Sequence, residues 1–208
     1  MLIKVCGMRW ADNIEALAKL NPDYIGFIFY APSPRYAGEI LTEAIAESIP
    51  PEIKKTGVFV NEGEEVILKT AHRFHLDAVQ LHGNETPELC QHFQSEGLEV
   101  LKAINPEKLK NQTLLNEYAS VCNFFLFDTP TTQHGGSGIK FDWSVLKQYR
   151  ENIPYFLSGG IGPDDLKSIE SIVGIKPIGL DVNSRFEVEP GLKDITLLRA
   201  FISKLRKK

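Results

Sequence analysis

The chain has 208 residues, of which 43% are hydrophobic and 24% charged, and its formal net charge is -4. That is ordinary for a globular chain with a sizeable core, and the acidic balance gives no reason to expect a nucleic-acid partner. No apolar run is long enough for a membrane-spanning helix, and three widely spaced cysteines argue against a disulfide framework and for a reducing, cytoplasmic setting.

The first element is Ile3-Lys4-Val5-Cys6, stopped by Gly7. A β-branched run bounded by glycine predicts a strand over 3–7. It starts so close to Met1 that no signal peptide is expected ahead of it. A thiol at a strand end is well placed for chemistry. The bland alternative is a buried core cysteine, which is the reading for Cys90 and Cys122.

A helix over 10–20 and a strand over 24–29 follow. A long connection, about 30–41, then carries Pro32-Ser33-Pro34-Arg35-Tyr36. The Arg35 guanidinium suits a carboxylate or a phosphate; the alternative is a solvated surface charge. A helix over 42–49 and a strand over 55–60 come next. Asn61 with Glu64 reads as a capping-box variant opening a helix over 62–74, on which His72 and His75 are surface residues.

In the strand over 78–83, alternation puts Gln80 and His82 on one face and Val79 and Leu81 on the other. A polar pair turned inward points to a ligand pocket, with a hydrogen-bonded core histidine as the alternative. Thr86-Pro87 reads as an N-cap and first position for a helix over 87–97. Strand 99–104, helix 109–120 and strand 124–129 follow, and the last ends at the carboxylate of Asp128. A second long connection, 129–142, holds Gly135-Gly136-Ser137-Gly138.

The final units are helix 144–151, strand 155–160, helix 163–173 opened by Pro163-Asp164-Asp165, strand 178–183, and a helix from 194 whose cationic end suits its dipole. Eight strand–helix units with short loops and no linker predict an α/β chain forming one (β/α)₈ barrel domain over 1–208. An open doubly wound sheet is the alternative, but it would leave the apolar strand Ile178-Gly179-Leu180-Asp181-Val182 on an edge.

In such a barrel the C-terminal strand ends build the site. Cys6 and Asp128 are then candidate base and acid. The turns at Gly159-Gly160 and Asn183-Ser184, after strands seven and eight, are candidate phosphate-binding loops, where glycine lets backbone N–H groups approach an anion. No Cys/His spacing resembles a metal site. Lys4, two residues before Cys6, faces inward if Cys6 does and then needs a partner, for which Asp181 on the neighbouring last strand is the nearest candidate; the alternative is that Lys4 snorkels from the strand's N-terminal end into solvent.

Lys4-Val5-Cys6-Gly7-Met8-Arg9, Gly26-Phe27-Ile28-Phe29-Tyr30, Ser33-Pro34-Arg35-Tyr36 and Gly57-Val58-Phe59-Val60-Asn61 resemble the phosphoribosylanthranilate isomerases of tryptophan biosynthesis. So do Val79-Gln80-Leu81-His82-Gly83, Phe127-Asp128-Thr129, Gly135-Gly136-Ser137-Gly138, Leu157-Ser158-Gly159-Gly160 and Asp181-Val182-Asn183-Ser184. The match runs in order over essentially the whole chain. The resemblance implies a single-domain (β/α)₈ barrel without metal or cofactor. It also implies an Amadori rearrangement of N-(5′-phosphoribosyl)anthranilate to the deoxyribulose 5-phosphate product.

It further implies Cys6 as general base, Asp128 as general acid, Arg35 on the anthranilate carboxylate, His82 in the substrate pocket, and Gly159, Gly160, Asn183 and Ser184 as the phosphate cradle. The expected partner is a small phosphorylated substrate, with no nucleic acid and no membrane. The chain is expected as a monomer or homodimer, with contact to other tryptophan-pathway enzymes left open. One departure stands out: many members read Ser-Gly-Val-Glu where this chain reads Ser184-Arg185-Phe186-Glu187. Arg185 tolerates a left-handed backbone poorly, and its charge would reinforce phosphate binding. The other readings are a related phosphate-binding barrel of the tryptophan or histidine pathways and a catalytically silent barrel that binds a phosphorylated metabolite. Cys6 argues against the two-aspartate histidine-pathway isomerase, and Cys6 with Asp128 argues against the silent barrel.

Overall fold

Eight short parallel strands pair side by side until the last meets the first. The computed structural model describes residues 1–129 and 140–207. The strands are β1 (Leu2–Cys6), β2 (Tyr24–Ile28), β3 (Lys54–Phe59), β4 (Ala78–Leu81), β5 (Glu99–Ile104), β6 (Phe124–Phe127), β7 (Tyr155–Leu157) and β8 (Gly179–Val182). The ring closes with β1 paired to β8, Lys4 opposite Asp181, so the open-sheet alternative is excluded. The expected Gly135–Gly138 loop lies outside the described residues.

Strand alternation divides two cores. Ile3, Val5, Ile25, Phe27, Val79, Leu81, Phe125 and Phe127 face the surrounding helices. Tyr24, Ala78, Leu101, Leu126 and Phe156, with Leu2, Ala103 and Phe124 against them, fill the barrel interior. Side chains of opposite parity on one strand thus serve different layers. Above the interior plug, the inward positions turn polar: Lys4, Gln80, Ser158 and Asp181 are all buried.

The helices are α1 (Ala11–Ala18), α2 (Glu43–Glu47), α3 (Glu64–Phe74), α4 (Pro87–Ser95), α5 (Gln112–Ala119), α6 (Leu166–Glu170) and α7 (Ile195–Arg206). Thr86 caps α4 as expected, its hydroxyl accepting from Leu89 N. His72 and His75 are exposed, and Cys90 and Cys122 are buried. Among the described residues, no helix is long and apolar enough to cross a membrane.

Three expectations need correction. Asn61 does not cap α3: Gly63 holds that position, while Asn61 adopts φ 52° and its side-chain oxygen accepts from Asn84 N. It ties two loops together instead. The helix expected over 144–151 is a 3-10 turn, Trp143–Gln148, since Trp143, Ser144 and Val145 are weak helix formers. The helix expected over 163–173 contracts to α6, because Asp165 is spent on the preceding turn, its Oδ2 accepting from Gly162 N at 2.6 Å. Arg206 and Lys207 are exposed at the cationic end of α7, and Arg206 also donates to Leu20 O.

The elements between β8 and α7 were not expected. After β8 comes a 3-10 turn, Ser184–Phe186, and then an antiparallel pair, β9 (Glu187–Glu189) and β10 (Leu192–Lys193). Gly191 supplies the turn with φ 87°.

Candidate active site

The site is assembled from the last inward side chain of several strands. On β1, Lys4 and Cys6 both point inward, and the room for them comes from β2. A Cβ built on Gly26 would lie 2.9 Å from Cys6 Sγ and 3.2 Å from Lys4 Nζ. Lys4 is fully buried, and its ammonium donates to Asp181 Oδ1 at 2.9 Å and to Gln80 Oε1 at 2.7 Å. The pair expected from parity is therefore present, with Gln80 as a second acceptor.

This ammonium begins a ring of polar contacts. Gln80 Nε2 lies 3.3 Å from His82 Nδ1, and His82 Nε2 lies 3.4 Å from Asp128 Oδ2. On the other side, Ser158 Oγ donates to Asp181 Oδ2 at 3.3 Å, and the hydroxyl also favours the charged form of the Asp128 carboxyl. Its one proton serves a single carboxylate at a time. Cys6 lies beside this ring, and the Lys4 charge favours its thiolate. Cys6 and Asp128 are thus brought to one end of the barrel, beside Lys4, Asp181 and Ser158.

Burial sets the proton affinities. The Asp128 carboxyl is pushed up to about 7, first by desolvation and then by the charge of Asp181. The Thr129 N–H, Lys4 and Ser158 pull it back only in part. The Cys6 thiol is also pushed up by desolvation, which outweighs the downward pull of Lys4 and Lys193, while Asp181 adds to the rise. Desolvation works against the Lys4 charge, yet Asp181 and Cys6 overcome it and its pKa ends up raised.

Gly159 takes φ 85° and Gly160 φ 65°, a backbone that side chains resist. A Cβ on Gly159 would also lie 2.3 Å from Thr129 Oγ1 and 3.1 Å from Asp128 Oδ1. This glycine keeps the space beside the carboxyl clear. The turn after β8 lies next to it in the barrel. Arg185 is exposed, but its Nε is 3.8 Å from where a Cβ on Gly162 would stand. Arg185 is not left-handed: among the described non-glycine residues only Asn21, Asn61 and His75 are. The turn runs through a 3-10 conformation that arginine adopts without strain.

Arg35 is buried rather than solvated, and Glu187 grips it. Nε lies 2.9 Å from Oε1, and Nη2 lies 2.7 Å from Oε2. Lys193 reaches the same Glu187 Oε1 at 2.6 Å and Asn183 Oδ1 at 2.6 Å. Arg35 and Asn183 converge over Gly7, where a Cβ would meet Asn183 Oδ1 at 2.8 Å and Arg35 Cδ at 2.9 Å. Sequence reasoning found Arg35 and Asn183 but missed Glu187 and Lys193. Their signal was faint: an acid and a lysine flanking the turn Pro190-Gly191.

Residues 3–204 match the family model described as N-(5'phosphoribosyl)anthranilate (PRA) isomerase. The chain belongs to that family. An N-(5'-phosphoribosyl)anthranilate isomerase of Parabacteroides distasonis is 43% identical over 208 residues, covering 99% of this chain and 93% of the relative. The crystal structure of phosphoribosyl anthranilate isomerase from Thermotoga maritima superposes with TM-score 0.84 at 34% identity, and all of both chains is covered. Another phosphoribosyl anthranilate isomerase, in complex with reduced 1-(o-carboxyphenylamino)-1-deoxyribulose 5-phosphate, has TM-score 0.81 at 31% identity, again over all of both chains. The chain catalyses the isomerisation of N-(5'-phosphoribosyl)anthranilate in tryptophan biosynthesis.

Proposed function

We propose that Cys6 is the general base and Asp128 the general acid of this isomerisation. Protonated Asp128 gives its proton to the ribose ring oxygen, the ring C–O bond breaks, and the anthranilate nitrogen lone pair forms the iminium. The Cys6 thiolate then removes the C2′ proton. The C–H electron pair forms the enamine, whose tautomerisation gives the ketone. These steps use side-chain protons alone. The observation that carries the reading is the Asp128 carboxyl, pushed up to about 7 beside the Asp181 charge, because an acid must hold a proton to give one.

The substrate has an anion at each end. Arg35 is proposed to hold the anthranilate carboxylate, since Glu187 occupies Nε and Nη2 and fixes the guanidinium plane without bonding Nη1. Backbone N–H groups at Gly159, Gly160, Asn183 and Ser184 are proposed to take the phosphate. His82, 3.4 Å from Asp128, is proposed to border the ribose. The reduced product analogue bound by the related enzyme carries the same carboxylate and phosphate. A monomer or homodimer acting in the cytoplasm fits this role, and another structure in the family concerns monomers generated from a dimeric enzyme.

Turnover is followed by the loss of substrate fluorescence. Cys6→Ala and Asp128→Asn are each expected to cut kcat by ~10²–10⁴-fold with the fold retained. A folded variant of either residue that turns over at the wild-type rate overturns that residue's role.

A further inference from the structure

Lys193 is a buried lysine for which the chemistry above has no use. Its side chain is fully covered, although it lies on the short β10 strand outside the barrel. The chain goes to some length to place it. Asn13 of α1 clamps its backbone from both sides: Lys193 N donates to Asn13 Oδ1 at 2.8 Å, and Asn13 Nδ2 donates to Lys193 O at 2.9 Å. The ammonium ends on Glu187 and Asn183, and Asn183 stands against Gly7, the residue after Cys6.

Charge counting shows what this arrangement lacks. Arg35 and Lys193 share a single carboxylate, Glu187, so the buried group has two cations and one anion. A buried cation without a full counter-charge is costly, and apolar side chains would pack there as well. We infer that Lys193 is a positioning residue for the isomerisation, its ammonium stabilising the Cys6 thiolate together with Lys4. The inference rests on Cys6 being the base.

The charged groups around the thiol come from six elements. Lys4 stands on its own strand, Asp181 on β8, Asp128 at the end of β6 and Arg35 in the loop after β2. Glu187 and Lys193 stand on β9 and β10. Burial raises the thiol pKa and lowers that of Lys193; against it, Lys193 pulls the thiol down, while Glu187 and then the thiolate help Lys193 keep its proton. Arg35 is then free to meet the substrate carboxylate, while Lys193 serves the base.

The test follows the ¹³Cβ resonance of Cys6 through a pH titration of the labelled full-length protein, with Cys6→Ala giving the assignment. Lys193→Gln keeps a hydrogen-bond donor and removes the charge. It should raise the thiol midpoint by roughly one pH unit and lower kcat with KM nearly unchanged, and Lys193→Arg should restore the midpoint. Glu187→Gln, which frees the ammonium from its counter-charge, should shift the midpoint down. An unchanged midpoint in folded Lys193→Gln, or an unchanged or raised one in Glu187→Gln, overturns the inference. The midpoint is read without turnover. A Cys6→Ala enzyme that stays active would sink the base assignment alone and leave the measured effect of Lys193 standing.

Discussion

Lys4 Nζ lies 2.9 Å from Asp181 Oδ1 across the seam where β1 meets β8, and both side chains are covered. Strand parity places the lysine inward, and closure of the barrel supplies the acid. Removing one member leaves the other buried and unpaired. Lys4→Met is therefore expected to destabilise the fold by about 3–5 kcal/mol, measured by urea unfolding. A variant as stable as wild type would show that the pair contributes nothing.

The pH profile of kcat/KM has a definite sign. In the proposed mechanism the productive form carries protonated Asp128, pushed up to about 7, and Cys6 thiolate, whose pKa burial also raises. Below about 7 the rate should climb with pH, as thiolate accumulates while the acid stays protonated. Above it, thiolate gain and acid loss cancel, giving a plateau until Cys6 itself titrates, and beyond that a fall. In Asp128→Asn the break near 7 should vanish. A break that persists there assigns it to another group.

The same carboxyl costs stability as its proton leaves. Its folded pKa is raised above the unfolded value, so its contribution is fully present below the unfolded pKa, near 4, and is lost as pH rises through about 7. Asp128→Asn should thus gain on wild type between pH 4 and 8, by up to about 4 kcal/mol. Equal Tm differences at both ends would contradict the raised pKa.

Gly26→Ala tests the seat of the thiol. The added methyl would sit 2.9 Å from Cys6 Sγ, so the thiol must move. A fall in kcat of tenfold or more is expected, about 1.4 kcal/mol of transition-state stabilisation, with a smaller change in KM. Unchanged kcat would mean that the exact place of Sγ is unimportant.

Arg185 stands exposed beside the Gly162 turn. Arg185→Gly should weaken inhibition by inorganic phosphate severalfold, as expected for loss of about 1 kcal/mol from one partly exposed charge. Equal inhibition would mean that only the backbone matters there.

Much of this was legible because barrels obey two simple periodicities. Alternation along β1 and β4 assigned Lys4, Cys6, Gln80 and His82 to the interior, and the repeat of strand and helix gave the closure that pairs Lys4 with Asp181. What escaped depends on the tertiary path. Nothing local to Asn61 reveals that it will bind Asn84 across two loops. Glu187 and Lys193 read as solvated charges beside a Pro-Gly turn, because the groups that bury them, Asn13 and Arg35, are more than 150 positions away. Even Arg35 could be located without its partner being visible.

The seam has a consequence for how the molecule comes into being. Lys4 leaves the ribosome early, and its partner Asp181 follows 177 positions later. Until β8 docks, β1 lacks one neighbour, and its lysine has no acid to neutralise it. Contacts of such span are slow to form, because chain closure must be achieved before they return any free energy. The thiol proposed as base is therefore born at the start of the chain but acquires its surroundings last. A polypeptide halted before β8 would hold most of its outer core and no working centre, so activity appears only when the ring has shut.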